Sequence, residues 1–148
     1  MGKLGYAADR VAQTLREAGY RVTPARRAVI DAVIAKNRHF TGADIVEEVV
    51  SSNRQVGRAT VFRTLEVLVN LGLVGRIHHP SGGSGYVLCP QGHHHHVICS
   101  QCGLVVDIPG CPLGSQAESD ALAMGFRLEG HRLEYYGICQ TCQEKGAS

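Results

Sequence analysis

Nothing in this 148-residue chain approaches the roughly 18 consecutive apolar residues needed to span a bilayer. Its opening, MGKLGYAADR, lacks the apolar core of a secretory signal. These absences predict a soluble, cytoplasmic protein with no membrane partner. Two catalytic signatures are missing as well. There is no H-E-x-x-H, and Ile98 rather than proline precedes Cys99, so the deaminase pairing of H-x-E with P-C-x-x-C is not met. An enzyme is therefore not expected. Charged residues make up 19% and hydrophobic residues 44%, which is globular composition. In a reducing compartment the six cysteines point to metal ligation rather than disulfides.

Charge divides the chain at the glycine-rich SGGSG of residues 81–85. Residues 1–82 carry twelve Lys/Arg against seven Asp/Glu, a net +5, whereas residues 83–148 carry three against six, a net −3. A basic half joined to an acidic one suggests a polyanion-binding unit attached to a unit with another task. The basic half reads as helices with their punctuation. Leu4, Ala7, Ala8, Val11, Leu15 and Ala18 recur at helical spacing before Gly19. Thr23-Pro24 supplies an N-cap and a first-turn proline for a stripe of Val29, Ile30, Val33 and Ile34. Thr41 and Asp44 form a capping-box pattern ahead of Ile45, Val46, Val49 and Val50.

A fourth helix starts near Arg58. At 100° per residue, Val61, Phe62, Leu65, Leu68 and Val69 share one side, leaving Thr60, Arg63 and Asn70 to face away. LVGRIHH and YVLC then read as two strands around PSGGSG. Three helices, a recognition-type helix and a hairpin predict a winged helix-turn-helix over residues 1–84. Beyond it, HHVIC, GLVVDI and HRLEYYGIC read as strands and SQAESDALAMG as a helix closed by Gly125, a small α+β unit over residues 85–148.

Cys99, Cys102, Cys139 and Cys142 form two C-x-x-C pairs with 36 residues between them. Two such turns complete a tetrahedron of thiolates at about 2.3 Å, the preference of structural zinc. A redox pair should follow a strand and open a helix, and no helix is expected after Cys139. Four consecutive histidines, His93 to His96, precede the first pair. In an extended strand His93 and His95 point one way and His94 and His96 the other, so one strand serves two metal clusters. Cys89, Asp107, His131, His39, His78 and His79 are the candidates to complete them. A zinc-binding module that docks another protein would use the same ligands but leaves the basic half unexplained.

The strings VTPARRAVID, GRATVFRTL, HHHHVICSQCG and GHRLEYYGICQTC, in this order and spacing, resemble the ferric uptake regulator family over nearly the whole chain. The resemblance implies an α+β protein, a metal-dependent transcriptional repressor binding a double-stranded DNA operator as a homodimer joined through its second half. It implies Cys99, Cys102, Cys139 and Cys142 as structural zinc ligands. Arg26, Arg58, Thr60, Phe62 and Arg63 lie in the DNA-facing stretches, with Phe62 where a tyrosine is usual. For the regulatory ion, Zn2+ or else Fe2+/Mn2+, it implies Cys89, His94, His96, His39 and Asp107. Cys89 with the two histidines resembles the zinc-uptake branch; His39, His94, His96 and Asp107 resemble the iron and peroxide branches. A second regulatory site is expected from His93, His95, His131 and Glu118, with Cys111 or water as other completing ligands. Three positions depart from the pattern. Leu88 replaces a carboxylate, Gly75 an aspartate and Gly114 a glutamate. The thiolate favours zinc, and a zinc-responsive repressor of metal homeostasis genes is the expected function, with an iron- or manganese-loaded peroxide sensor as the alternative.

Overall fold

The computed structural model describes residues 8–36, 39–52, 55–78, 83–89 and 93–146. Four helices come first: α1 (Ala8–Glu17), α2 (Pro24–Ile34), α3 (Gly42–Ser52) and α4 (Arg58–Asn70). The predicted residues Leu4 and Ala7 lie outside the described residues. The Thr23 hydroxyl accepts the Arg26 N–H at 3.1 Å and Pro24 occupies the first turn of α2, so the first N–H groups are satisfied where the sequence signalled it. At the head of α3 the capping is reciprocal. The Thr41 N–H donates to Asp44 Oδ2 at 2.6 Å and the Asp44 N–H to Thr41 Oγ1 at 3.1 Å, which holds the Asp44 carboxyl below its ordinary range, the Thr41 backbone bond being the main cause.

Val11, Leu15, Val29, Ile30, Val33, Ile45, Val49, Val61, Leu65 and Leu68 are buried together where the helices meet. Strands β1 (Val74–His78) and β2 (Ser84–Leu88) pair antiparallel, Val74 opposite Leu88 and His78 opposite Ser84. Their alternation splits the hairpin between two cores: Val74 and Leu88 face the helices, while Ile77, Val87 and Cys89 join Ile98 and Val105 in a second cluster. The expected division between residues 84 and 85 therefore falls inside β2, all of which belongs to the hairpin. Residues 79–82, including His79, lie outside the described residues.

The second half is a three-stranded sheet of order β4-β3-β5, with β3 (His94–Cys99) in the centre, β4 (Val105–Pro109) antiparallel to it and β5 (Glu134–Gly137) parallel to it. Helix α5 (Gln116–Ala123) connects β4 to β5 and ends before Gly125, whose φ of +80° is costly for a residue with a Cβ. A sixth helix, α6 (Gln140–Gly146), follows β5 directly. This corrects the expectation that no helix follows Cys139. Seven residues after the strand suffice for a short helix, so placement alone does not separate a redox pair from a metal knuckle.

The halves meet at several points. The His39 N–H donates to the Gly103 carbonyl at 3.4 Å and the Tyr136 hydroxyl to the His78 carbonyl at 3.1 Å, while within the first half the Phe40 and Tyr86 backbones exchange hydrogen bonds of 3.0 and 2.7 Å that tie the wing to the segment before α3. No helix among the described residues is long and apolar enough to cross a membrane.

Candidate metal centres

Three clusters of metal-ligating atoms converge on the second half, each with all its donor atoms within 4.8 Å of one another. The first holds Cys99, Cys102, Cys139 and Cys142. Cys99 ends β3, and the turn to Cys102 closes with the Gly103 N–H on the Cys99 carbonyl at 2.9 Å. Cys139 follows β5, the strand parallel to β3, so the sheet itself brings the two knuckles together. The Cys102 and Cys139 sulfurs are 3.7 Å apart; a tetrahedron with metal–sulfur bonds of about 2.3 Å has edges of about 3.8 Å. The Cys139 N–H donates to Cys99 Sγ at 3.3 Å. This bond, then one from the Cys102 backbone, lowers the Cys99 thiol to about 6, whereas the hydrogen bond with the Cys139 side chain, then burial, pushes Cys142 up to about 12. One thiolate forms easily and a later one resists until a cation offsets the accumulated charge.

The second cluster holds Cys89, His94 and His96. Cys89 is fixed just beyond β2 by its N–H on the Leu73 carbonyl at 3.0 Å. The His94 and His96 rings stand on one side of β3 with centroids 4.8 Å apart. Two residues expected in this set stand outside the cluster. Asp107 lies opposite His96 in the β3–β4 register, and its Oδ1 meets His96 Nδ1 at 3.1 Å. The carboxylate thus orients the ring and leaves Nε2 for an ion. His39 packs on Gly85, where an added Cβ would come 1.8 Å from its Nε2. The Phe40–Tyr86 bridge fixes it there, and Gly85 is about 13 Å of extended strand from Cys89 at 3.3 Å per residue. Gly75 lies under the cluster: a Cβ there would be 2.8 Å from Cys89 Sγ, so the sulfur occupies the space a side chain would need.

The third cluster joins His93, His95, Cys111 and His131. His93 Nε2 is 3.1 Å from His95 Nε2, which is 3.4 Å from Cys111 Sγ and 3.3 Å from His131 Nε2, while Cys111 Sγ and His131 Nε2 are 3.3 Å apart. Tetrahedral edges for metal–nitrogen bonds of about 2.0–2.1 Å are about 3.3 Å. His95 is 3% exposed, and burial, followed by the neighbouring His93, lowers its pKa, which keeps the imidazole in the neutral form a metal needs. Cys111, rather than the expected Glu118, completes this group. Glu118, on α5, lies outside the four-donor group but lines the same 400 Å³ pocket as His93, Cys111, His131 and Glu129.

In the first half α4 exposes Arg58, Arg63, Glu66 and Asn70. Glu66 is paired with Arg76 of β1, so this acid is neutralised from the wing. Arg58 lies 5.0 Å over the Phe62 ring, and Phe62 is half-buried against Gly42 rather than facing outward. Thr60 is half-buried, its carbonyl accepting the Thr64 hydroxyl at 2.8 Å. Arg26 on α2 directs Nη1 to the Arg21 carbonyl at 2.6 Å. The Arg58–Phe62 contact has a local sequence signal, an arginine four residues before an aromatic on one helix.

A winged helix bearing exposed arginines, tied to a sheet unit with three thiol and imidazole clusters, defines a metal-responsive DNA-binding regulator. The comparisons agree. The model of the ferric uptake regulator family matches residues 17–136, and the chain belongs to that family. It is 33% identical over 141 residues to the ferric uptake regulation protein of Bacillus subtilis, covering 93% of this chain and 95% of the relative. It is equally 33% identical over 133 residues to the peroxide operon regulator of the same organism, covering 90% and 91%. Among solved structures, a zinc uptake regulator complexed with zinc and DNA superimposes with a TM-score of 0.79 at 25% identity, covering 95% of each chain. The protein is accordingly a Fur-family metal-responsive DNA-binding regulator.

Proposed function

We propose that this regulator responds to zinc and represses genes of metal homeostasis in the cytoplasm. One observation carries the reading: a buried thiol, Cys89, converges with two imidazoles, His94 and His96, at the joint between the two halves. A sulfur and two nitrogens suit zinc better than iron or manganese, which are held more readily by nitrogen and oxygen donors. The four-cysteine cluster would hold a structural zinc ion. Its sulfur separation of 3.7 Å supports this. His93, His95, Cys111 and His131 would hold a second regulatory ion. Bound metal supplies charge neutralisation and cross-linking; the chain supplies the elements that are cross-linked.

Cys89 follows the wing strand β2 and hangs from Leu73 beside α4, whereas His94 and His96 belong to the second sheet. An ion shared among them fixes the angle between the DNA-binding half and the dimer half. It favours DNA binding only by the extent to which it binds that arrangement better than others. The Asp107 carboxylate holds the His96 ring ready, and its second-sphere role adds basicity to the ligand.

The test is operator binding against free zinc at low concentration. Zinc tightens binding in the parent protein, and Cys89→Ser removes the response while leaving the dimer intact. An unchanged zinc response in that variant defeats the proposal. The presence of Asp107 beside His96, with the similarity to a peroxide operon regulator, favours a second reading in which the site holds iron or manganese and senses peroxide. In that case iron restores repression where zinc does not, and peroxide treatment adds one oxygen to His94 by mass.

A further inference from the structure

We propose that Arg58 is a specificity-determining residue and that Phe62 and Gly42 are its positioning residues, forming a shelf that holds the Arg58 guanidinium for guanine in the major groove. The inference rests on the DNA-binding role of α4 but assigns a base-reading duty to side chains outside the Arg63 contact. Arg58 is the first residue of α4 and is exposed; Phe62, one turn later on the same face, is half-buried. The guanidinium carbon lies 5.0 Å from the Phe62 ring centroid, within the range where an aromatic face attracts a cation. The other edge of the ring rests on the first residue of α3. A Cβ at Gly42 would come 2.4 Å from Phe62 Cε1 and 2.5 Å from Cζ, so no side chain but hydrogen permits this seat.

The chain of contacts therefore runs from α3 through an aromatic ring to a cation on the exposed end of α4. A free arginine must surrender the rotamer freedom of a long side chain when it engages a base, whereas one laid on a ring has surrendered part of it in advance. A guanidinium stacked by its face keeps its edges, and those edges carry the paired N–H donors that match guanine O6 and N7. Arg58 and Arg63 are separated by about 7.5 Å along the helix axis at 1.5 Å per residue, so they address different positions of the site. The departure from tyrosine at position 62 is then not a simple loss. A ring with no hydroxyl to satisfy can sit low between α3 and α4 and serve as the platform.

The experiment selects binders from a randomised double-stranded DNA library with the zinc-loaded homodimer, then measures each variant against the selected duplex and its single-position substitutions at several salt concentrations. In the parent, one guanine per half-site is preferred by roughly 5- to 150-fold. Arg58→Ala abolishes preference at that position and leaves preferences elsewhere. Phe62→Leu, which keeps an apolar filler but removes the face, reduces preference at the same position by at least fivefold. The double variant Arg58→Ala/Phe62→Leu is no worse there than Arg58→Ala alone, as coupling through one side chain requires. Should Phe62→Leu misfold, Gly42→Ala displaces the ring without altering α4 and gives the same loss. Retained preference in folded Phe62→Leu or Gly42→Ala overturns the proposal. So does an Arg58→Ala defect spread evenly over all sequences with one fewer counterion released, the mark of a phosphate contact. A parent dimer that selects no sequence at all would overturn the DNA-binding reading together with the shelf.

Discussion

The two halves are stabilised by different means. The first buries aliphatic side chains from all four helices, with Leu15, Ile30, Ile45 and Leu65 at 0% exposure. The second buries little of its own: Ile98 and Val105 pack with Ile77, Val87 and Cys89, which come from the wing, while Leu122, Met124 and Phe126 are 74%, 79% and 70% exposed. A small unit without a core needs metal ions or a partner surface. Here the ligand clusters lie in the half with the sparse core. Ion occupancy can therefore alter the geometry of the second half while the helical core of the first stays intact.

The largest effect should come from breaking the four-cysteine cluster. Structural sites of this kind contribute on the order of 10–16 kcal/mol of binding free energy to folding. Chelation, or Cys139→Ser, should unfold the sheet of the second half and give monomers by sedimentation, while the helical circular dichroism of the first half persists. A chelated protein that stays dimeric and melts as before would remove the contrast. A smaller effect is expected at the apolar surface of α5 and the turn after it. Leu122→Glu should weaken dimerisation by about tenfold or more, the scale of burying an unpaired carboxylate against a partner copy. Metal content of the four-cysteine cluster should be unchanged. If Leu122→Glu dimerises as tightly as the parent, the exposed residues are not the surface that the second copy covers.

The contrast also explains what the sequence made legible. Caps and helix stripes are local, and Thr23-Pro24 and Thr41 with Asp44 act within four residues of themselves. The alternation of His93 to His96 is equally local, because strand geometry sends neighbours to opposite sides. What could not be read is register between distant strands. Asp107 was expected as a ligand, and only its pairing opposite His96 shows that it holds the ring from behind. The meeting of Cys111 with His95 and His131 depends on how β4, α5 and β5 fold back together, so sequence left it beside Glu118 as an option. His39 illustrates the reverse case. A likeness of position suggested a ligand, but the bridge between Phe40 and Tyr86 sets its ring on Gly85. The division placed after residue 84 falls within β2, which runs from Ser84 to Leu88, because strand pairing across the hairpin carries the chain past the glycine-rich stretch.

The smallest effect tests whether the first half is held by local bonds and aliphatic packing independent of any ion. Thr41→Ala deletes the hydroxyl that accepts the Asp44 N–H and should cost about 1 kcal/mol in chemical denaturation of the first half, equally with metal or with chelator. The companion change, Asp44→Asn, addresses pH. The folded pKa of Asp44 is lowered, chiefly by the Thr41 N–H, so its contribution is present above the unfolded carboxyl value of about 3.9 and is lost as pH falls through the lower folded value. The parent should therefore lose more stability than Asp44→Asn as pH falls through and below about 4. If the Thr41→Ala cost instead grows when metal is removed, α3 is coupled to the ion-binding half, and the two halves must be treated as one cooperative unit from the Thr41 cap to the His39 contact with Gly103.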